Sequence, residues 1–389
     1  MRILGVILLT VATFQTVTCF AFYKNLEANS TVESNYTLSS NRQGRVFPLY
    51  SVGRIANVAC VGMNGLTGTC QIRGECAANG GLAAGNCSSY TTQAVCCIYI
   101  QTCGGSSTQN VTYFQNSGYP LPYNGGGSCL ITIVPPDTTI CQLRIDFTTF
   151  SLSQPDGNGI CSVDNLQISG GTSYVPVICG DNNGQHVYVS INGASVILTI
   201  STTSAISYNR LWNLQISMIS CTSQYQAPTG CLQYYMGASG EVSSLNYGSG
   251  ANPALNNLGL TGTRQLANSQ YGICIDPAPG QCSITYSLPS GDPYAFTMTG
   301  DATAVAPAML GTGAVGEQGA ACTTDFLVIP NPMGIASDRF CGLGLNTITS
   351  ETTPFNLFYV TNGDDTGDVA NRGFNLLYTQ NACAVSIGK

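Results

Sequence analysis

Through the C-terminal two thirds of the chain, apolar residues repeatedly alternate with polar ones. The runs include Cys141-x-Leu143-x-Ile145-x-Phe147, Val187-x-Val189-x-Ile191, Val196-x-Leu198-x-Ile200 and Trp212-x-Leu214-x-Ile216-x-Met218. Phe355-x-Leu357-x-Tyr359 and Phe374-x-Leu376-x-Tyr378 repeat the pattern further on. A period of two places every second side chain on one face of a strand, so each run predicts a strand with one face to bury. Gly, Asn and Pro break the runs at the spacing of a β-sandwich. No helical periodicity competes, and the expected class is all-β.

The first 55 residues follow another pattern. Met1-Arg2 precedes the apolar stretch from Ile3 to Val11, the arrangement of a secretory signal peptide spanning 1–19. Cleavage after Cys19 or Ala21 removes Cys19 in either case. The stretch is too short to span a bilayer, and no later run is long enough. Residues 20–55 are rich in Asn, Ser and Thr, build no core, and are expected to be disordered and glycosylated. Arg42-Gln-Gly-Arg45 within them reads either as a convertase site cut before Val46 or as two solvated arginines in a linker.

Cysteines define the rest. The chain has 19, and without Cys19 an even number remains to pair in an oxidising compartment. Zinc binding is excluded by the single histidine, His186, and the lack of a C-x2-C pair. The cysteines fall into three sixes: Cys60 to Cys97, Cys103 to Cys221 and Cys231 to Cys383. The second and third are an internal repeat. Cys161-Ser-Val-Asp164-Asn-Leu-Gln-Ile168 matches Cys322-Thr-Thr-Asp325-Phe-Leu-Val-Ile329 as C-x2-D-x-L-x-I. Ile178-Cys179-Gly180 matches Phe340-Cys341-Gly342, and Trp212-Asn-Leu matches Phe374-Asn-Leu. In both units 41 residues separate the last two cysteines.

These motifs resemble the CUB domain, an antiparallel jelly-roll sandwich, with units at 101–222 and 229–385. The resemblance implies the pairs Cys103–Cys129, Cys161–Cys179, Cys231–Cys274 and Cys322–Cys341. The added cysteines would then pair as Cys141–Cys221 and Cys282–Cys383. Cysteine spacing alone leaves 15 pairings for each six. The first six, C-x9-C-x5-C-x10-C-x8-C-C over 56–100, is similar to the clip module of arthropod secreted proteases and their inactive homologues. That likeness implies Cys60–Cys96, Cys70–Cys87 and Cys76–Cys97. So short a module needs its bridges in place of a hydrophobic core.

Composition narrows the function. Only 8% of residues are charged, the pI is about 4.5, and lysine occurs only at Lys24 and Lys389. No basic patch exists to neutralise phosphates, which argues against nucleic acid and anionic membrane as partners. Solubility rests on neutral polar residues and on glycans at the sequons Asn29, Asn35, Asn86 and Asn110. Asn86 abuts Cys87, whose bridge would hinder its modification. His186 has no serine placed to complete a triad, and H-E-x-x-H is absent, so no enzyme is expected.

Many CUB domains hold one calcium through an acid eight residues before the aspartate of C-x2-D, that aspartate, and another in a late loop. The second unit keeps Glu317 and Asp325 at that spacing, with Asn362, Asp364 and Asp365 in the late loop. Calcium takes such hard oxygen ligands. Alternatively, Asp325 anchors a turn and the others are solvated. The first unit keeps only Asp164, with Ser153 in the glutamate's place and no acid in Ser201–Ala205, and no calcium is expected there. The second unit also carries two insertions, 248–270 and 301–318, which read either as binding loops or as drift. The expected function is extracellular recognition of proteins or glycans without catalysis. The alternatives are a non-catalytic regulator of a secreted serine-protease cascade, with those proteases as partners, and a matrix or cuticle component.

Overall fold

The computed structural model describes residues 58–87, 94–363 and 365–383. The signal-peptide segment, the polar tail with Asn29 and Asn35, the Arg42–Arg45 motif and Asp364 lie outside the described residues. Among the described residues, no helix is long and apolar enough to cross a membrane.

The alternating runs form two stacked-sheet sandwiches. In the first, Ile140–Ser151 lies between Leu211–Ser220 and His186–Ser190. The opposing sheet runs Gly105–Ser107, Gly127–Ile133, Val196–Thr202, Asn165–Ser169. Leu143, Ile145 and Phe147 point inward, as alternation requires, but Phe150 is also fully buried. A bulge at Thr148 explains this. Leu214 pairs with Phe147 and Asn213 with Thr149, so one residue is skipped and the inward phase shifts.

The second sandwich repeats the scheme. One sheet contains Cys231–Tyr235, Gln270–Ile275, Phe355–Val360, Phe326–Val328, Arg339–Gly342 and Gly316–Gln318. The other is built on Gly373–Ala382, with Ser239–Ser243, Gln281–Ser287, Ile348–Ser350 and the short Phe296–Thr297. Phe355, Leu357, Tyr359, Phe374, Leu376 and Tyr378 are all buried. Among the described strands, pairing is antiparallel except in three pairs, one of which joins Cys231–Tyr235 to Gln270–Ile275.

The cysteine-rich N-terminal module is an extension of the first sandwich. Its strand Ala94–Gln101 pairs in parallel with Thr112–Gln115, so one sheet runs through both. Tyr113 packs in the module's small core and bonds through its hydroxyl to the backbone of Thr67. One helical turn, Arg73–Ala78, carries Cys76. The module's bridges are Cys60–Cys96, Cys70–Cys87 and Cys76–Cys97. The first sandwich holds Cys103–Cys129, Cys141–Cys221 and Cys161–Cys179. The second holds Cys231–Cys274, Cys282–Cys383 and Cys322–Cys341.

A buried polar seam joins the sandwiches. Asn246, wholly buried at φ 62°, takes a hydrogen bond from the Asp181 amide at 2.9 Å and donates its own amide to Asn182 Oδ1 at 2.7 Å. Gln185 donates to Ser243 Oγ and to the Ser244 carbonyl, both at 2.9 Å. The connecting segment is pinned at Ala227, whose N–H and C=O both bond to the buried Gln142 side chain.

Candidate functional site

Three carboxylates converge where the C-x2-D turn of the second sandwich meets its late loop. Asp325, Asp365 and Asp368 are all buried, and each brings a carboxylate oxygen within 4.8 Å of the others. Asp325 Oδ1 accepts the Asn362 amide at 2.6 Å, while its Oδ2 is buried without a hydrogen-bond partner. Burial pushes the Asp325 carboxyl above its ordinary value, opposed by its contact with Asp368 and the Asn362 amide. Asp368 also accepts the Gly300 amide at 2.7 Å. Carboxylates buried this close together repel one another when ionised. A cation with hard oxygen ligands fits these donors, and calcium is such a cation.

Of the residues expected at this site, Asp325 and Asp365 are brought together. Asn362 contributes its backbone amide. Glu317 is not in the cluster. It is exposed on Gly316–Gln318, in register with Cys341, because the insertion before it ends in an edge strand that carries it outward. Asp368 is the member the sequence reading missed. Its signal was a further acid at the end of the same loop, but nothing along the chain shows that the loop folds it back.

In the first sandwich the corresponding carboxylate meets an arginine. Asp164, the counterpart of Asp325, likewise accepts a late-loop amide, that of Thr203 at 3.3 Å. Its charge is met by Arg210, with Nε to Oδ2 at 2.7 Å and Nη2 to Oδ1 at 2.9 Å. Both side chains are fully buried. Ser153 gives Asp164 a backbone amide at 3.0 Å. At the spacing that separates Glu317 from Asp325 the first unit carries Asp156 and not the expected Ser153, and Asp156 caps its own turn through the amides of Asn158 and Ile160. In the second sandwich Arg372 stands two residues before Phe374, as Arg210 stands two before Trp212. Its guanidinium turns away, bonding the Ser249 carbonyl and lying 3.6 Å over the Tyr294 ring. Arg372 is therefore not shown bonded to Asp325 in the way that Arg210 holds Asp164.

His186 lies in the seam. Its Nε2 is 2.9 Å from the Tyr234 carbonyl oxygen and 3.1 Å from the Tyr234 amide, and its ring meets Tyr235 edge-on. Burial, then Arg144, depresses it to about 4, so the ring is neutral at ordinary pH. Asn86 ends its strand in an exposed position beside the bridged Cys87. Asn110 is exposed, with Oδ1 accepting the Met218 amide at 2.8 Å.

The architecture is that of two disulfide-stapled β-sandwiches in tandem. Residues 103–212 match the CUB domain and residues 228–381 the animal CUB domain, together more than half of the chain. The chain belongs to the CUB-domain family, with two such domains in tandem after a disulfide-rich N-terminal module. CUB domains are non-catalytic modules that generally mediate protein–protein interaction. No curated protein matches the chain. Among solved structures, the CUB1-EGF-CUB2 domains of rat MASP-1 are 12% identical, at TM-score 0.25, over 70% of this chain and 99% of that one. The MASP-1 CUB2 domain bound to Ca2+ is 20% identical, at TM-score 0.26, over 30% of this chain and 98% of that one. The full extracellular region of zebrafish Gpr126/Adgrg6 is 13% identical, at TM-score 0.27, over 74% of this chain and 38% of that one. Likenesses this weak carry no functional weight.

Proposed function

We propose that this chain is a secreted recognition protein. It acts without catalysis, and its tandem CUB domains present one rigid surface to extracellular proteins or glycans. A calcium ion in the second domain would order the late loop that forms part of that surface. The observation that supports this best is the contrast between the domains. The Asp164 carboxylate of the first is neutralised by Arg210, whereas the second gathers Asp325, Asp365 and Asp368 with Arg372 turned aside. Three buried carboxylates within 4.8 Å of one another on a disulfide-stapled scaffold suit an ion with a preference for hard oxygen ligands. Asp325, Asp365 and Asp368 would hold it, with Asn362 and Asp364 in the same loop.

Affinity capture from extracellular fluid with the full secreted chain tests the reading. Millimolar calcium should support capture of a partner, and a chelator should weaken it by tenfold or more. Capture of nothing in either condition would overturn the recognition role. Equal capture in both would overturn the part assigned to calcium. A second reading, a non-catalytic regulator of a secreted protease cascade, draws on the N-terminal module. Its bridges join the first cysteine to the fifth, the second to the fourth and the third to the sixth, as in the clip modules it resembles.

A further inference from the structure

On one side of the seam between the two CUB domains lies a cleft of about 560 Å3. The first domain supplies Thr172 and Tyr174, the connecting segment Thr229, and the second domain Gln270, Gly272 and Phe358. A second hollow of about 250 Å3 lies beside it, lined in part by Tyr174, Asn165 and Asn268. Tyr174 thus borders both, and the two hollows with its ring between them make up a trough of two parts along the seam.

The lining is selective. Among the described residues neither hollow has a charged side chain in its wall, so a charged ligand would lose water there without gaining a counter-charge. Two aromatic rings are nevertheless held open to solvent, Tyr174 at 58% and Phe358 at 43% exposure. Tyr174 is fixed in place, because its hydroxyl crosses the seam to the Asn268 carbonyl at 2.9 Å. Phe358 stands on the outward face of its strand, directly opposite Gly272, which has no side chain to cover it. Around the rings lie hydroxyls and amides, with Thr172, Thr229 and Gln270 exposed. The floor strands Gln270–Ile275 and Phe355–Val360 are each paired on both sides, so the trough offers no free edge to an added peptide strand. Clefts of this size at domain junctions, apolar with a few neutral polar groups, are the usual form of small-ligand sites.

We propose that this trough binds an uncharged oligosaccharide. A pyranose ring has apolar C–H faces to lie on Tyr174 and Phe358, and a rim of hydroxyls to meet Thr172, Thr229 and Gln270. The fixed ring of Tyr174 lowers the ordering cost of binding. The trough's two hollows suit a chain of sugar units over a single one. This deepens the recognition reading above and rests on it.

The test is calorimetric titration of the full secreted chain with three neutral probes: the N-acetylglucosamine trimer, mannotriose and cellotriose. At least one should saturate. Phe358→Ala and Tyr174→Ala should each weaken it by tenfold or more, while the exposed Leu258→Ala, away from the trough, leaves it unchanged. Thr229→Trp, which fills the cleft, should abolish binding, and unchanged melting in all four variants confirms that they fold. Saturation by none of the probes overturns the proposal, as does saturation indifferent to Phe358→Ala, Tyr174→Ala and Thr229→Trp. Partner capture that persists while no sugar binds removes the trough alone. Sugar binding that persists while calcium has no effect on capture removes the calcium role alone.

Discussion

Single residues carry much of the buried polar chemistry, and two of them allow direct tests. Gly180 follows Cys179 at φ 75°, and a Cβ there would lie 1.9 Å from Asn246 Oδ1. The Cys-Gly step thus admits both the left-handed turn and the neighbouring domain's asparagine. Arg210 is a second case. Removing one partner of a fully buried pair leaves an uncompensated charge at a cost of about 3–5 kcal/mol. Arg210→Met should lower the stability of the chain by about that much, measured by denaturant unfolding, whereas adding Asp164→Leu should restore most of it. His186 supplies a pH test. Its folded value of about 4 lies below the ordinary 6.5, so between those values the unfolded chain binds a proton that the native ring refuses. The stability it supports is full above pH 6.5 and is lost as pH falls towards 4, by about 3 kcal/mol in all. Arg144, Asp146, Tyr188 and Tyr235 surround the ring, and only Asp146 opposes the depression among the charges. His186→Gln keeps a hydrogen-bonding side chain without the titration. Its unfolding free energy should change less across pH 6.5–4 than that of the parent chain, and identical slopes would remove His186 from the account.

At the scale of elements, the strands were legible because period-two alternation records burial directly. Trp212, Leu214, Ile216 and Met218 all point into the core, and so do Phe374, Leu376 and Tyr378. The Thr148 bulge was not legible, since a skipped residue leaves a sequence that still reads as alternation up to Phe147. The two late loops show the same limit more sharply. Spacing along the chain identified Asp325, Asp364 and Asp365, but convergence depends on how a loop folds back. Asp368 therefore joined the cluster unannounced and Glu317 stayed outside it. Arg210 was also missed, because nothing local marks an arginine 46 residues from Asp164 as its partner. These loops make the calcium prediction specific. Titration of the full chain should give a saturable heat with a Kd of roughly 0.1–1 mM, typical of extracellular sites. Asp325→Asn should abolish that heat and Asp368→Asn weaken it by tenfold or more. Asp164→Asn should destabilise the first domain and leave the heat unchanged. At a few millimolar calcium the gain is only about 1–2 kcal/mol, so loop order should respond more than global melting.

At the scale of the whole molecule, the chain behaves as one body from the N-terminal module to the end of the second domain. The module shares a sheet with the first domain, and the two domains share buried polar contacts that neither satisfies alone. Domains joined by a flexible linker would unfold separately, since inter-domain contacts are usually weak. Here Asn246 bonds Asp181, Asn182 and Gln154 on the first domain and Arg264 on its own. Asn252 reaches the Pro155 carbonyl, and Arg264 lies 3.6 Å from Asp181. If the seam is lost, the buried ones among these groups exchange protein partners for water, and any left buried without a partner costs about 1–3 kcal/mol. Calorimetric melting of the full chain should therefore show the two domains in a single transition. Asn246→Ala removes the side chain at the centre of the seam and leaves both sandwich cores untouched. That variant should melt in two resolved transitions, the first below the parent's melting temperature. Two transitions in the parent chain would mean that the seam does not couple the domains. A single transition in both proteins, at equal temperature, would mean that Asn246 is not what holds them together.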